Sequence, residues 1–171
     1  MYQLIIVIIT IGLFGLALLA QLNYVPAWTK TVDVDYEVTR EGLLKLENAY
    51  NLYAQANAGA GPAVSAGAVP EALRPYLKFI PAAPRGMQWS YGQNSDDGTL
   101  YANMHFFCAT PATASGITEG TFRGLLRVKA TLSPEQYFVT AACNSRNTPV
   151  TGYSAATAVT MYVAYAPADP I

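Results

Sequence analysis

The sequence predicts an α+β protein in which one long N-terminal helix packs on an antiparallel β-sheet beside one short extra helix. Three observations carry that expectation. The chain opens on an uncharged and almost wholly apolar run, a helical stripe continues straight out of that run, and the patterning changes to period two from Met87 onward. Residues 1–25 are read as the transmembrane half of the helix, 26–57 as its amphipathic half and 58–171 as a globular α+β head. A head of that length is large enough to bury a core of its own.

Composition narrows the classes of function. Apolar residues make up 52 % of the 171 and charged residues only 12 %, about half the usual charged share. The net charge is −1 and no Lys/Arg run occurs, so charge gives no reason to expect nucleic-acid contact. Twelve Tyr, with abundant Ala, Thr, Gly and Ser, predict a polar but weakly charged surface, as in many secreted and surface-exposed proteins.

Residues 1–29 contain no Asp, Glu, Lys, Arg or His, and 4–20 are nearly unbroken hydrocarbon. That matches the ~20 residues needed to cross a bilayer core. The rival reading is a cleaved signal peptide, which would open on a basic region, carry a shorter apolar core and end at an Ala-x-Ala-like site. No basic residue precedes the run, and residues 17–21 make a poor cleavage site. Lys30 pulls its own end of the span inward by the positive-inside rule, against Asp33, Asp35 and Glu37. The cysteines argue for the opposite orientation, and a basic leader removed before Met1 would reconcile the two.

Beyond the span, Leu22, Val25, Thr29, Val32, Tyr36, Thr39, Leu43, Leu46, Tyr50 and Tyr53 recur at alternating steps of three and four, one face of a helix. Asp33, Asp35, Glu37, Arg40, Glu41, Lys45 and Glu47 are assigned to the solvated side. Gly59-Ala60-Gly61-Pro62 should stop the helix near Asn57. Pro26 lies inside it and removes one backbone hydrogen bond, so a kink or melted turn is expected there.

This segment, with Met1, Gly12, Gly15 and Pro26, resembles the N-terminal helix of the type IV pilins and pseudopilins over about the first 57 residues. The resemblance implies a structural subunit of an extracellular filament, held in the inner membrane before assembly with its head outside the cytoplasm. Its partners would be membrane lipid and then identical or homologous pilin-like subunits in a homo-oligomeric filament. Leu4, Ile5, Ile8, Ile11, Gly12, Gly15, Leu16, Leu19 and Pro26 would form the assembly helix. Members of that family usually carry Glu at the fifth mature residue, where this chain has Ile5. With Met1 as the mature start, that departure suits a minor or atypical subunit. The alternative is a single-pass envelope protein that uses the same anchor and works as a binding or scaffolding module.

In the head, residues 58–70 read as an Ala/Gly/Pro-rich loop or linker, 70–81 as a short helical turn and 84–86 as another turn. Residues 87–91 and 99–109 read as strands of a hairpin joined by the Gly-containing loop 92–98. Leu100, Ala102, Met104, Phe106 and Cys108 share one face of the second strand, and Tyr101, Asn103, His105 and Phe107 the other. A helix is expected over 118–130, with Thr118 as N-cap and Phe122, Leu125, Leu126 and Lys129 at helical spacing. Strands follow at 136–143, with Tyr137, Val139, Ala141 and Cys143 on one side, and at 158–166, with Val159, Met161, Val163 and Tyr165 together.

Cys108 and Cys143 are the only cysteines, each read as ending an alternating strand. They are expected to form a disulfide, because a membrane anchor places the rest of the chain in an oxidising compartment. Two free buried thiols are the alternative. One disulfide in the C-terminal region also agrees with the pilin resemblance.

Catalytic signals are weak. His105, the single histidine, is better read as a packed or surface ring than as a base. Residues 94–98 are better read as Asx-rich turn chemistry than as a Ca²⁺ loop. Residues 59–62 are not followed by the Lys-Ser/Thr of a phosphate loop. No enzyme activity, metal site or cofactor is expected.

Overall fold

The computed structural model describes residues 2–22, 27–64, 67–94, 103–132, 135–145 and 150–163, with side chains described throughout except at 2, 4–6, 17–22 and 27–28. The chain divides into two units, Met1–Lys30 and Thr31–Ile171.

The first unit holds helix α1 (Tyr2–Leu22), 21 residues without a charge, and the opening of helix α2 (Ala27–Ala56). The expected break at Pro26 falls outside the described residues. The transmembrane half of the expectation is not carried by the structure: among the described residues no helix is long and apolar enough to cross a membrane. In α1 the described side chains are Gln3 and the stretch 7–16.

The second unit has the expected α+β architecture. From Thr31 onward α2 follows its helical stripe, burying Thr39, Leu43, Leu46 and Tyr50, with Tyr36 and Tyr53 partly buried. Leu43 and Leu46 are fully withdrawn from water, which contributes about 2 kcal/mol apiece. Asp35 departs from the reading. Assigned to solvent, it is buried, four residues before Thr39 and so on that residue's face. It survives burial because Oδ2 accepts the Thr121 hydroxyl at 2.7 Å and Oδ1 accepts the Arg85 backbone N–H at 3.4 Å.

The helix ends where the glycine-rich segment begins. Gly59 N–H reaches back to Ala54 O at 2.8 Å, and the turn expected in 70–81 is a 3-10 segment, Glu71–Tyr76, with Pro75 inside it. Four strands follow: β1 (Met87–Gln93), β2 (His105–Pro111), β3 (Tyr137–Thr140) and β4 (Ala158–Val163). They form one antiparallel sheet in the order β1-β2-β4-β3. Registers Ser90↔Cys108, Cys108↔Thr160 and Val139↔Val159 place alternate residues on two faces. Trp89, Tyr91, Phe107, Met161, Tyr137 and Val139 share a core with Leu43, Leu46 and Tyr50 of α2. The opposite face gathers Phe106, Cys108, Ala158 and Tyr162.

Helix α3 (Glu119–Lys129) matches the sequence reading closely, with Thr118 Oγ1 accepting Thr121 N–H at 3.3 Å. Glu119 in its first turn and Arg127 and Lys129 in its last complement the helix dipole. Leu126, counted on the apolar face, is exposed, and Val128 is buried instead. The buried Tyr137 hydroxyl donates to Leu125 O at 3.3 Å, tying β3 to α3. Burial pushes its pKa well above the usual phenol range, which keeps it neutral.

Strand limits differ from expectation where local turns intervene. The second strand begins at His105, because Asn103 takes a left-handed conformation with φ 62°. Asn94 and Asn103 then close the hairpin through Asn94 N–H to Met104 O at 2.9 Å and Asn103 N–H to Asn94 O at 3.0 Å. Residues 95–102 and 164–166, with Leu100, Tyr101, Ala102 and Tyr165, lie outside the described residues.

Candidate functional site

Two regions hold the residues singled out by the sequence. In α1, Ile8, Ile11 and Leu16 are exposed, as are Val7, Ile9, Leu13 and Phe14. Each helical residue advances about 100°, so these side chains project on every side of the helix. A Cβ added at Gly12 or Gly15 would meet nothing within 4 Å, so these glycines leave open notches in the apolar surface. Leu4, Ile5 and Leu19 belong to the α1 backbone, with side chains outside the description, and Pro26 lies outside the described residues altogether.

The second region is the sheet face opposite the helices. Cys108 and Cys143 are joined there by a disulfide, Cα–Cα 5.9 Å, across a sequence separation of 35. Two details of the sequence reading are corrected. Cys108 lies in the middle of β2, paired with Ser90 and Thr160. Cys143 does not share a strand face with Tyr137 and Val139: β3 stops at Thr140, and Cys143 packs with Phe106, Cys108 and Tyr162 on the other side of the sheet.

The turn that carries Cys143 across is held by its neighbour. Asn144 adopts φ 57°, a left-handed conformation that Asn tolerates better than most residues. Its N–H donates to Thr160 Oγ1 at 3.1 Å, its Nδ2 donates to Asn94 Oδ1 at 3.1 Å, and its Oδ1 accepts the Tyr162 hydroxyl at 2.5 Å. Asn94 is itself buried. Sequence reading placed Asn94 only in a polar turn and gave Asn144 no role, because no local period links residues 50 positions apart.

His105 is a packed ring. Its plane lies 8° from that of Tyr91 with centroids 5.3 Å apart, and the Tyr50 ring is 5.7 Å away. Burial lowers its pKa. Among the described residues no group of three or more His, Cys, Asp and Glu could hold a metal ion. No protein-family model, curated protein or solved structure matches the chain.

Proposed function

We propose that this chain is a structural subunit of a type IV pilus-like filament that assembles through α1. The observation that carries the reading is the apolar surface exposed all round α1 between Val7 and Leu16. A helix with no polar side is stable only in lipid or among other apolar helices. Its 21 residues make a rod about 32 Å long; among the described residues it does not qualify as a span by itself, and its retention by lipid is part of the proposal. Lipid would hold the subunit before assembly, and copies of α1 would replace lipid in the filament, with Gly12 and Gly15 allowing close approach. The disulfide is in keeping with a head outside the cytoplasm.

Helix α1 carries no carboxylate, although such subunits usually have one near the start of the helix, and we propose a minor or atypical place for the chain. A carboxylate in hydrocarbon would cost a few kcal/mol unless paired with a neighbour's amine. A subunit with no neighbour ahead of it loses nothing by carrying Ile5.

Two substitutions test assembly. Gly12→Leu keeps the helix apolar but fills a notch, so the chain should remain in the membrane and vanish from sheared filaments. Leu16→Lys should cost about 3 kcal/mol in an apolar core and lower filament recovery roughly hundredfold. The heads of both variants should keep wild-type thermal stability. Filament recovery equal to wild type for the Lys variant would remove the basis of the proposal. Wild-type chain found only as single subunits in detergent micelles would favour the anchored binding or scaffolding protein. Quantitative mass spectrometry of the sheared fraction gives its rank, and dominance by this chain would overturn the minor assignment.

A further inference from the structure

We propose that His105, Tyr91 and the Pro62 carbonyl form a pH-operated latch that holds residues 57–64 on the sheet near neutrality and releases them in acid. The Tyr91 hydroxyl donates to Pro62 O at 3.1 Å and lies 2.7 Å from His105 Nδ1. A hydroxyl has one proton. Both contacts are satisfied together only if Nδ1 carries the imidazole proton and donates to the Tyr91 oxygen. The neutral ring therefore leaves Nε2 bare, and that edge is packed against Gly61, where an added Cβ would come within 2.5 Å of Nε2. Among the described residues the ring's hydrogen bond is at Nδ1, and the one side-chain polar group beside the Nε2 edge is the Tyr50 hydroxyl, 3.0 Å from the same added Cβ. Protonation creates an Nε2–H and a positive charge at an edge closed by the loop, and both need water. Access for water requires Gly61 and Pro62 to move away.

The surroundings do not offset that charge. Tyr50 faces the ring from α2, Tyr91 from β1, and Gly61 from the loop, while Gln93 and Val163 are the strand partners of His105. Tyr53 lies one turn beyond Tyr50 and contributes with it to raising the Tyr91 pKa. Burial pushes the Tyr50 and Tyr91 phenols up, so both stay neutral. Glu47, a turn before Tyr50 on α2, is itself held up by burial. The His105 pKa is lowered by burial alone, with no charged neighbour contributing. Near its start the loop also carries backbone strain, at Ala58 with φ 55°.

The direction follows from proton binding. With the loop open the ring regains its ordinary pKa near ~6.5; with the loop closed its pKa is lower. Opening therefore becomes easier as pH falls through the open-state value, and the gain levels off below the closed-state value. Each pKa unit between the two states makes opening about tenfold more frequent.

Hydrogen exchange on the full chain in detergent, corrected for intrinsic rates, tests the latch at about pH 7.5 and pH 5, on either side of the histidine range. Residues 57–64 should lose protection several-fold at the lower pH, while 43–50 in α2 keep theirs. His105→Gln should abolish the difference between the two conditions. Gly61→Ala, which drives a methyl into the ring, should show the low-pH behaviour already at neutrality. Ring nitrogen shifts in the wild type should report the Nδ1–H tautomer and a lowered pKa, independently of whether either variant folds. Equal protection at both pH values in the wild type, the same loss in His105→Gln, or an ordinary ring pKa would each overturn the proposal.

Discussion

Cys143→Ser should lower the stability of the head by about 4 kcal/mol, the loop-entropy value for a closure of this length. For a domain of this size that corresponds to a fall in Tm of roughly 10 °C. The sequence separation between the linked cysteines is 35, and the bridge encloses α3 and β3. Releasing it frees the unfolded chain to explore that loop. It also leaves the Cys108 thiol buried, beside the Thr160 hydroxyl at 3.6 Å. Loss of the bridge should loosen the turn at Asn144, which lies next to Cys143 and reaches Asn94 and Tyr162. Protease sensitivity should rise first in 141–145. Reduction of the wild-type protein should reproduce the same fall, and a Tm change of less than about 2 °C in both experiments would contradict the entropic role.

Gly116→Val should cost about 3 kcal/mol or more, because two effects act at one residue. Gly116 has φ +70°, a region that side chains rarely adopt, and a Cβ there would lie inside 3.0 Å of the Ala155 carbonyl carbon, oxygen and Cβ. Ala155 cannot simply withdraw, since its carbonyl accepts Ile117 N–H at 3.0 Å. Ile117 O in turn accepts the Tyr153 hydroxyl at 2.8 Å, one residue before the Thr118 cap of α3. Displacing that segment should unseat the start of α3, so far-ultraviolet helicity should fall along with Tm. Gly152→Ala is the matched control. Nothing lies within 4 Å of its added Cβ, and its Tm should stay within about 2 °C of wild type. Equal effects from the two substitutions would show that the close contact at Gly116 is relieved cheaply.

Legibility followed the length scale of each interaction. The face of α2 was readable because Leu43, Leu46 and Tyr50 repeat the helical period over several turns, and α3 because Thr118 and Glu119 mark its start. Asp35 was misplaced by its charge. Its spacing from Thr39 and Leu43 pointed inward, and only the distant Thr121 and Arg85 explain how a carboxylate can reside there. Alternation placed Phe107 and Phe106 on opposite faces of β2 correctly, but it could not locate strand ends. Asn103 and the turn after Thr140 end the pattern through backbone conformation. Extending that alternation to Cys143 therefore put the cysteine on the wrong face, although its pairing with Cys108 followed from chemistry. The contact between His105 and Gly61 spans 44 residues and left no local trace in the sequence.

Whether copies of the chain meet through α1 is the central issue, and cross-linking at Ile8 addresses it most directly. Ile8→Cys introduces a thiol on the exposed surface of α1 and leaves the Gly12 notch open, while the native cysteines remain bonded to each other. Oxidation of intact cells, followed by shearing and non-reducing electrophoresis, should yield linked pairs in the filament fraction, and peptide mapping should place the link at position 8. Lipid-dispersed chain should give far fewer pairs. Wild-type chain that is absent from the sheared fraction, or Ile8→Cys and Leu16→Cys chains that are present there without any link at the new thiol, would contradict assembly through α1.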